Sequence, residues 1–394
     1  MAHLRLRSTL TSWSRILSIA LISLPVFAVI NPDRELAVFG KDHLFNKLQL
    51  TFPVALVVSV LLIAKNSWRR GVWLVAAMVA VNIIVLWRAS SSFLQITVWL
   101  FFLAYASFKA EMRKLSAGEI ERLVAVNIAT VFAAQLIVFG GGILFGLQLG
   151  SLLSEDVIVY NYLQYFSISV ALCFAAYLGG GKARSVPAFA LLLVGVAGAI
   201  HSQNTTALVL IIALFIMRYV VDVRRIDASG RKLLILLFAA LPVVVPFATI
   251  AAVDLLGLGQ HEIETALNGR VVIWREYWDA ISFENVLFPM LLDEIPVSTG
   301  THNLFLGYSV SLNPVFAAVM YMSLLGIILK ISDMRARLFV LMVVCVAGIN
   351  LELVTHPFFC LQLAFLCAAM QLSPQNAPAS LFGRPFEAGL GRGG

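Results

Sequence analysis

Charge is what this chain has least of. Asp, Glu, Lys and Arg together make up 12% of its 394 residues, against 60% apolar residues, and the mean hydropathy is +0.92. Composition of that kind excludes a soluble globular domain. Cysteine is also scarce. Cys173, Cys345, Cys360 and Cys367 all sit inside apolar runs without CxxC or metal-ligand spacing, which excludes a disulfide framework and a zinc site and leaves reduced packing residues. No HExxH and no GxSxG occurs, so proteolysis has little support.

Long apolar runs fill the space that charge leaves. They lie near residues 16–30, 48–64, 71–87, 93–108, 123–149, 158–178, 186–200, 206–221, 233–256, 304–329, 338–351 and 354–372. A helix needs about twenty apolar residues to cross a bilayer, so the expected fold is all-α: a polytopic integral membrane protein of about twelve transmembrane helices. The first run follows Arg5, Arg7 and Arg15, and "VINPDREL" after it offers no small-residue cleavage site, as expected of a retained signal anchor. One bundle over 1–372 is expected, with residues 257–303 as its single long connection. The Pro- and Gly-rich tail 373–394 reads as disordered in the cytoplasm.

Basic residues orient such a bundle. With the N-terminus inside, 22 of the 28 Lys and Arg fall on cytoplasmic pieces, leaving Arg34, Lys41, Lys47, Arg88, Arg270 and Arg275 outside. Both termini are then cytoplasmic, the net charge of +7 is a consequence of topology, and no nucleic-acid partner is called for. The long connection 257–303 lies on the outer face.

That connection carries "GRVVIWREYWDAI", in which Trp274, Trp278 and Ile281 recur at helical spacing among Arg270, Arg275 and Asp279. The pattern predicts an amphipathic helix on the bilayer or capping the bundle. Trp274, Tyr277 and Trp278 at headgroup level would be ordinary for a membrane-surface helix. Two of the six outward cations packed into one short helix are less ordinary. A guanidinium grips phosphate oxygens through a planar fork of donors, which suits a lipid-linked pyrophosphate. Histidine is skewed outward as well: His43, His201, His261, His302 and His356 fall on outward loops or helix ends. Imidazole titrates near neutrality and can take a proton from a hydroxyl. His302 stands out among them because Asn303 follows it where the long connection re-enters the bundle.

"NGRVVIWREYWDAI" followed by "THNLFLGY" resembles the signature of the O-antigen ligase and O-antigen or exopolysaccharide polymerase superfamily: a small residue before Arg, Trp about four residues on, then His-Asn and an aromatic or Leu. Here these are Gly269, Arg270, Trp274, His302, Asn303, Leu304, Phe305 and Leu306. The family's twelve-span layout with one large outer loop is similar to what the charge count yields. The chain departs from the family in two places. "ENVLFPMLLDEIP" stands where a GxG is common, and "HSQNTTAL" stands where a Ser-Arg or Ser-Lys pair is usual, so His201 or the neutral donors Gln203, Asn204 and Thr205 would replace a second cation.

The resemblance implies glycosyl transfer from undecaprenyl pyrophosphate to a sugar hydroxyl at the outer face of the bacterial inner membrane. Arg270, helped by Arg275, would hold the pyrophosphate; His302 would take the acceptor's proton and Asn303 would orient that hydroxyl, with Trp274, Tyr277 and His201 completing the substrate site. No metal and no cofactor is implied. The acceptor would be a growing glycan or a lipid A core, with a chain-length regulator as a candidate partner protein.

Two rival readings exist. Asp33 and Glu35, or Glu262 and Glu264, could act as base or metal ligands in another kind of membrane glycosyltransferase, although loop acids of this sort, like Asp293, Glu294 and Glu352, are usually solvated. A lipid-glycan flippase or other transporter also needs such a bundle. The sequence shows no internal repeat and almost no charge within the apolar runs, and Gly140–Gly142 is its best transporter hint, equally explained by close helix packing.

Overall fold

The computed structural model describes residues 61, 92–144, 157–180, 185–219, 226–257, 269–283, 286, 303–311, 313–351 and 357–372. The apolar segments near 16–30, 48–64 and 71–87, Leu61 apart, and the tail 373–394 lie outside them. Over the described residues the chain is helical, with no strand. In chain order the helices are α1 (Ser92–Met112), α2 (Ala117–Leu144), α3 (Val157–Gly179), α4 (Ser185–His201), α5 (Thr205–Tyr219) and α6 (Ala228–Leu256). They continue with α7 (Arg270–Ala280), α8 (Leu304–Ser311), α9 (Pro314–Leu329), α10 (Met334–Asn350) and α11 (Pro357–Leu372).

Short polar residues start these helices by supplying acceptors to first-turn N–H groups. Ser116 and Glu119 form a reciprocal capping box ahead of α2. Asn204 Oδ1 accepts from Ala207 N at α5, Asp227 Oδ1 from Gly230 N at α6, and Asp333 Oδ1 from Arg335 N and Ala336 N at α10.

One expected segment is built differently. The run near 304–329 is two helices, α8 and α9, folded back on each other. Asn313 adopts φ 137° and ψ 162° immediately before Pro314, which lacks an N–H and disfavours helical backbone in the residue ahead of it. Asn313 then caps α9 through Phe316 N at 2.7 Å. The Phe305 and Tyr321 rings meet edge-on with centroids 6.1 Å apart, whereas an unbroken helix would separate these residues by about 24 Å.

α3 is central and packs against α2, α4, α5, α10 and α11, while α11 also lies along α1, and α6 along α10. Phe101, Phe108, Phe166, Phe174, Phe339, Phe359 and Phe365 are fully buried, with Phe108 and Phe365 edge-to-face at 5.6 Å. Glycine permits the closest approaches: a Cβ on Gly179 would stand 2.5 Å from Ala336 Cα, and one on Gly198 1.5 Å from Gln135 Nε2. A buried amide pair, Asn127 with Gln362, joins α2 to α11, and Gln362 Nε2 also donates to Cys173 Sγ on α3 at 3.0 Å. All four cysteines are buried and none is in a disulfide.

Hydrogen bonds bring one set of helix ends together. Lys109 Nζ donates to Gln371 Oε1 at 2.6 Å, Gln371 Nε2 to Ile327 O at 2.7 Å, and Ser332 Oγ to Met370 O at 2.9 Å. The end of α1, the α9–α10 turn and the end of α11 therefore meet at one pole of the bundle, with Lys109, Arg113, Lys114, Lys330, Arg335 and Arg337 there.

Among the described residues, Ala228–Leu256 is a helix long and apolar enough to cross a membrane, and only 11% of its apolar stretch is buried. Leu233, Leu237, Val244 and Leu255 are exposed along one side of it. Phe189 and Leu193 on α4, Val209, Ile212 and Ile216 on α5, and Val319 and Met322 on α9 are exposed too.

Candidate functional site

Residues 257, 269–283, 286 and 303 are the described part of the long connection. The helix expected within it is α7. Gly269 caps it in a left-handed conformation, φ 75°, with no side-chain hydrogen bond. This gives a physical reason for a small residue ahead of Arg270, because a Cβ is strained at such a φ.

Three residues on one side of α7 are buried: Val271 and Trp274 fully, Tyr277 with 2% exposed. This differs from the expected stripe of Trp274, Trp278 and Ile281 lying at headgroup level. Trp274 and Tyr277 pack inside the protein, Tyr277 against Ile273, Ala280 and Ile281, while Trp278 remains 47% exposed. The helix docks onto α6 and α8, so its largest apolar surfaces meet protein first. Trp274 and Tyr277 thus support α7 and present no open face to a substrate.

Two contacts seat α7 on the C-terminal half of α6. The Trp278 ring stands edge-on to Phe247, centroids 4.5 Å apart, and Arg275 Nη2 donates to Asp254 Oδ1 in an ion pair. Arg275 is therefore engaged by a carboxylate of its own chain. Arg270 opens α7 and is half-buried.

Asn303 is completely buried and bonded on every side. Its Oδ1 accepts from Phe305 N at 2.9 Å and Leu306 N at 3.0 Å, capping α8. Its Nδ2 donates to Pro242 O at 3.0 Å and to Ile349 O at 3.1 Å. Pro246, lacking an N–H, leaves the Pro242 carbonyl without a helical donor, and Ile349 belongs to the last turn of α10, where carbonyls have no helical partner either. The resemblance has Asn303 orienting an acceptor hydroxyl; in the structure its amide bonds four backbone groups where α6, α8 and α10 meet. Leu304, the next residue, packs on Gly348, whose added Cβ would lie 3.0 Å from Leu304 Cβ.

His302 lies outside the described residues, as do Asp33, Glu35, Glu262, Glu264, Asp293, Glu294, Glu352 and His356. His201 ends α4, which packs against α2, α3 and α5, whereas α7 packs against α6 and α8. Beside it, Ser202 Oγ and Ser167 Oγ share a hydrogen bond of 2.7 Å, and Asn204 Nδ2 donates to Gln164 O at 2.9 Å. Asn204 is thereby committed to backbone, while Gln203, at φ 51°, and Thr205 are exposed. The structure brings Arg275 together with Asp254 and Asn303 with Pro242, and it places His201 at the end of a helix packed on α2, α3 and α5.

Asp254, Phe247, Pro242 and Pro246 escape the sequence reading. Asp254 carries a usable signal as the only acid in α6. The partnership of Asn303 with Pro242 has none, since 61 residues separate them. No protein-family model, no curated protein and no solved structure matches this chain.

Proposed function

We propose that this chain is a multi-span membrane glycosyltransferase that moves a glycan from undecaprenyl pyrophosphate to a sugar hydroxyl, as polysaccharide polymerases and O-antigen ligases do. The observation that carries this reading is α7: a short helix with two part-exposed guanidinium groups, Arg270 and Arg275, docked on the end of an apolar helical bundle. Cations so placed suit the phosphates of a lipid whose tail follows the bundle. Membrane residence is supported by α6, whose long apolar stretch is mostly unburied, and by the apolar faces left open on α4, α5 and α9. Monomeric soluble proteins rarely expose that much contiguous apolar surface.

In the proposed reaction the acceptor oxygen forms a bond to the anomeric carbon while the carbon–oxygen bond to pyrophosphate breaks. The leaving electron pair goes to pyrophosphate, stabilised by Arg270, and the hydroxyl proton to His302. Asn303 holds the architecture around α8.

A second reading has an observation in its favour. Helices interrupted at mid-course are a transporter feature, and the α8–α9 reversal is such an interruption. One experiment separates the two: surface polysaccharide and lipid-linked donor are measured in cells carrying Arg270→Ala or His302→Ala, with membrane expression verified. Loss of transferred glycan with donor accumulating on the outer leaflet supports transfer. Donor retained on the inner leaflet supports transport, and unchanged glycan with either substitution rejects the assignment of these residues.

A further inference from the structure

The last turn of α6 holds a charge that its own helix disfavours. Asp254 stands among the terminal carbonyls, its own and that of Val253 accepting from Gly257 N–H, and the C-terminal end of a helix carries partial negative charge. A carboxylate there calls for a cation, and Arg275 answers it. Neither partner is locked in place, because the side chains of Arg275 and Asp254 remain 32% and 61% exposed, and exposed pairs are weak and screened by salt. The contact runs through Nη2 to one carboxylate oxygen, so most of the guanidinium's five N–H donors stay available. Nor does α7 depend on the pair for its seat, since Val271, Trp274 and Tyr277 are buried and Trp278 rests on Phe247.

We propose that Asp254 is an internal stand-in for phosphate: it occupies Arg275 in the unliganded protein and yields it to a phosphate-bearing headgroup. Asp254 thereby sets how tightly this end of the bundle binds such a ligand. The inference rests on the reading of α7 as a phosphate clamp and adds its regulation. A phosphate offers the guanidinium a bidentate, more highly charged partner than a carboxylate does, and the displaced Asp254 returns to water from a position already largely exposed. The phosphate could belong to a polyprenyl diphosphate or to a bilayer phospholipid.

The test uses the full chain in detergent, titrated with undecaprenyl pyrophosphate and separately with phosphatidylglycerol, with bound lipid counted by native mass spectrometry. Asp254→Asn is expected to tighten binding by up to about fivefold, the scale of an exposed ion pair. Arg275→Ala is expected to weaken binding, and to remove that gain in the double variant. A gain confined to the pyrophosphate identifies the polyprenyl lipid as the source; an equal gain for both identifies phosphate headgroups in general. Asp254→Ser provides a second variant should the first fold poorly. Binding no tighter in either variant, or a gain that survives Arg275→Ala, overturns the proposal. If that happens while Arg270→Ala still abolishes glycan transfer, glycosyl transfer stands and the stand-in falls. Tightened binding with transfer indifferent to Arg270 rejects the transferase and keeps the stand-in.

Discussion

Asn303 supplies the hydrogen bond that Pro246 cannot: its Nδ2 donates to the Pro242 carbonyl at 3.0 Å, the acceptor that residue 246 would occupy in an uninterrupted helix. The hydrogen bond missing from α6 and the start of α8 thus meet in one joint, closed also by Ile349 O at 3.1 Å.

That joint predicts a coupling between two distant substitutions. Asn303→Ala removes a helix cap, worth about 1 kcal/mol, and leaves buried carbonyls unpaired at roughly 1–3 kcal/mol each. Pro246→Ala restores an N–H to Pro242 O, so Asn303→Ala is expected to cost less in that background. A double-mutant cycle on thermal unfolding in detergent reads the difference; strictly additive effects would break the link. Asn303→Asp keeps the capping oxygen and turns the donor face into an acceptor facing two carbonyls, so it is expected to be at least as damaging as alanine.

The two tryptophans of α7 are expected to separate sharply. Trp274 is fully buried, and its replacement by Ala is expected to cost about 3–5 kcal/mol. Trp278 is 47% exposed and contributes its contact with Phe247, worth about 0.5–1.5 kcal/mol. Folded yield by size exclusion should fall much further for Trp274→Ala; the reverse order would contradict the docking of α7.

Glycines rank by what their missing Cβ would strike. Gly179→Ala meets backbone, Ala336 Cα at 2.5 Å, and should lose most folded protein. Gly198→Ala meets the end of the Gln135 side chain, which can swing aside, and should lose less. Gly326 has nothing within 4 Å of a built Cβ, so Gly326→Ala should be neutral or slightly stabilising within its helix. Expression and melting temperature of the three variants order them directly.

On the membrane reading, the open side of α6 faces lipid. A single cysteine at Leu237, with the four native cysteines replaced, is expected to carry a bimane label quenched by brominated lipid, whereas a label at exposed Gln203 should respond to aqueous iodide. Aqueous quenching at Leu237 would count against membrane residence.

Most helix positions among the described residues are legible in the sequence, because their apolar runs are longer than a strand usually is and are bounded by polar capping residues. α1 to α6, α10 and α11 each overlie an expected segment, and α7 appears inside the long connection where Trp and Arg recur at helical spacing. The run near 304–329 misleads for a definite reason: hydropathy does not change at Asn313, and the reversal there comes from backbone geometry before a proline. The candidate site divides in the same way. Residue types betray a helix that carries two arginines among aromatics, and Gly269 betrays its start. Partners are another matter. Asp254 lies 21 residues from Arg275 and Pro242 lies 61 from Asn303, and no local pattern encodes contacts that exist only once α6, α7, α8 and α10 pack. Arg275 looks free in the sequence and is paired in the fold, and Asn303, a polar residue at the edge of an apolar run, clasps three helices together. Periodicity acts along the chain, whereas the saturation of a donor or a carbonyl depends on which helix lies beside it.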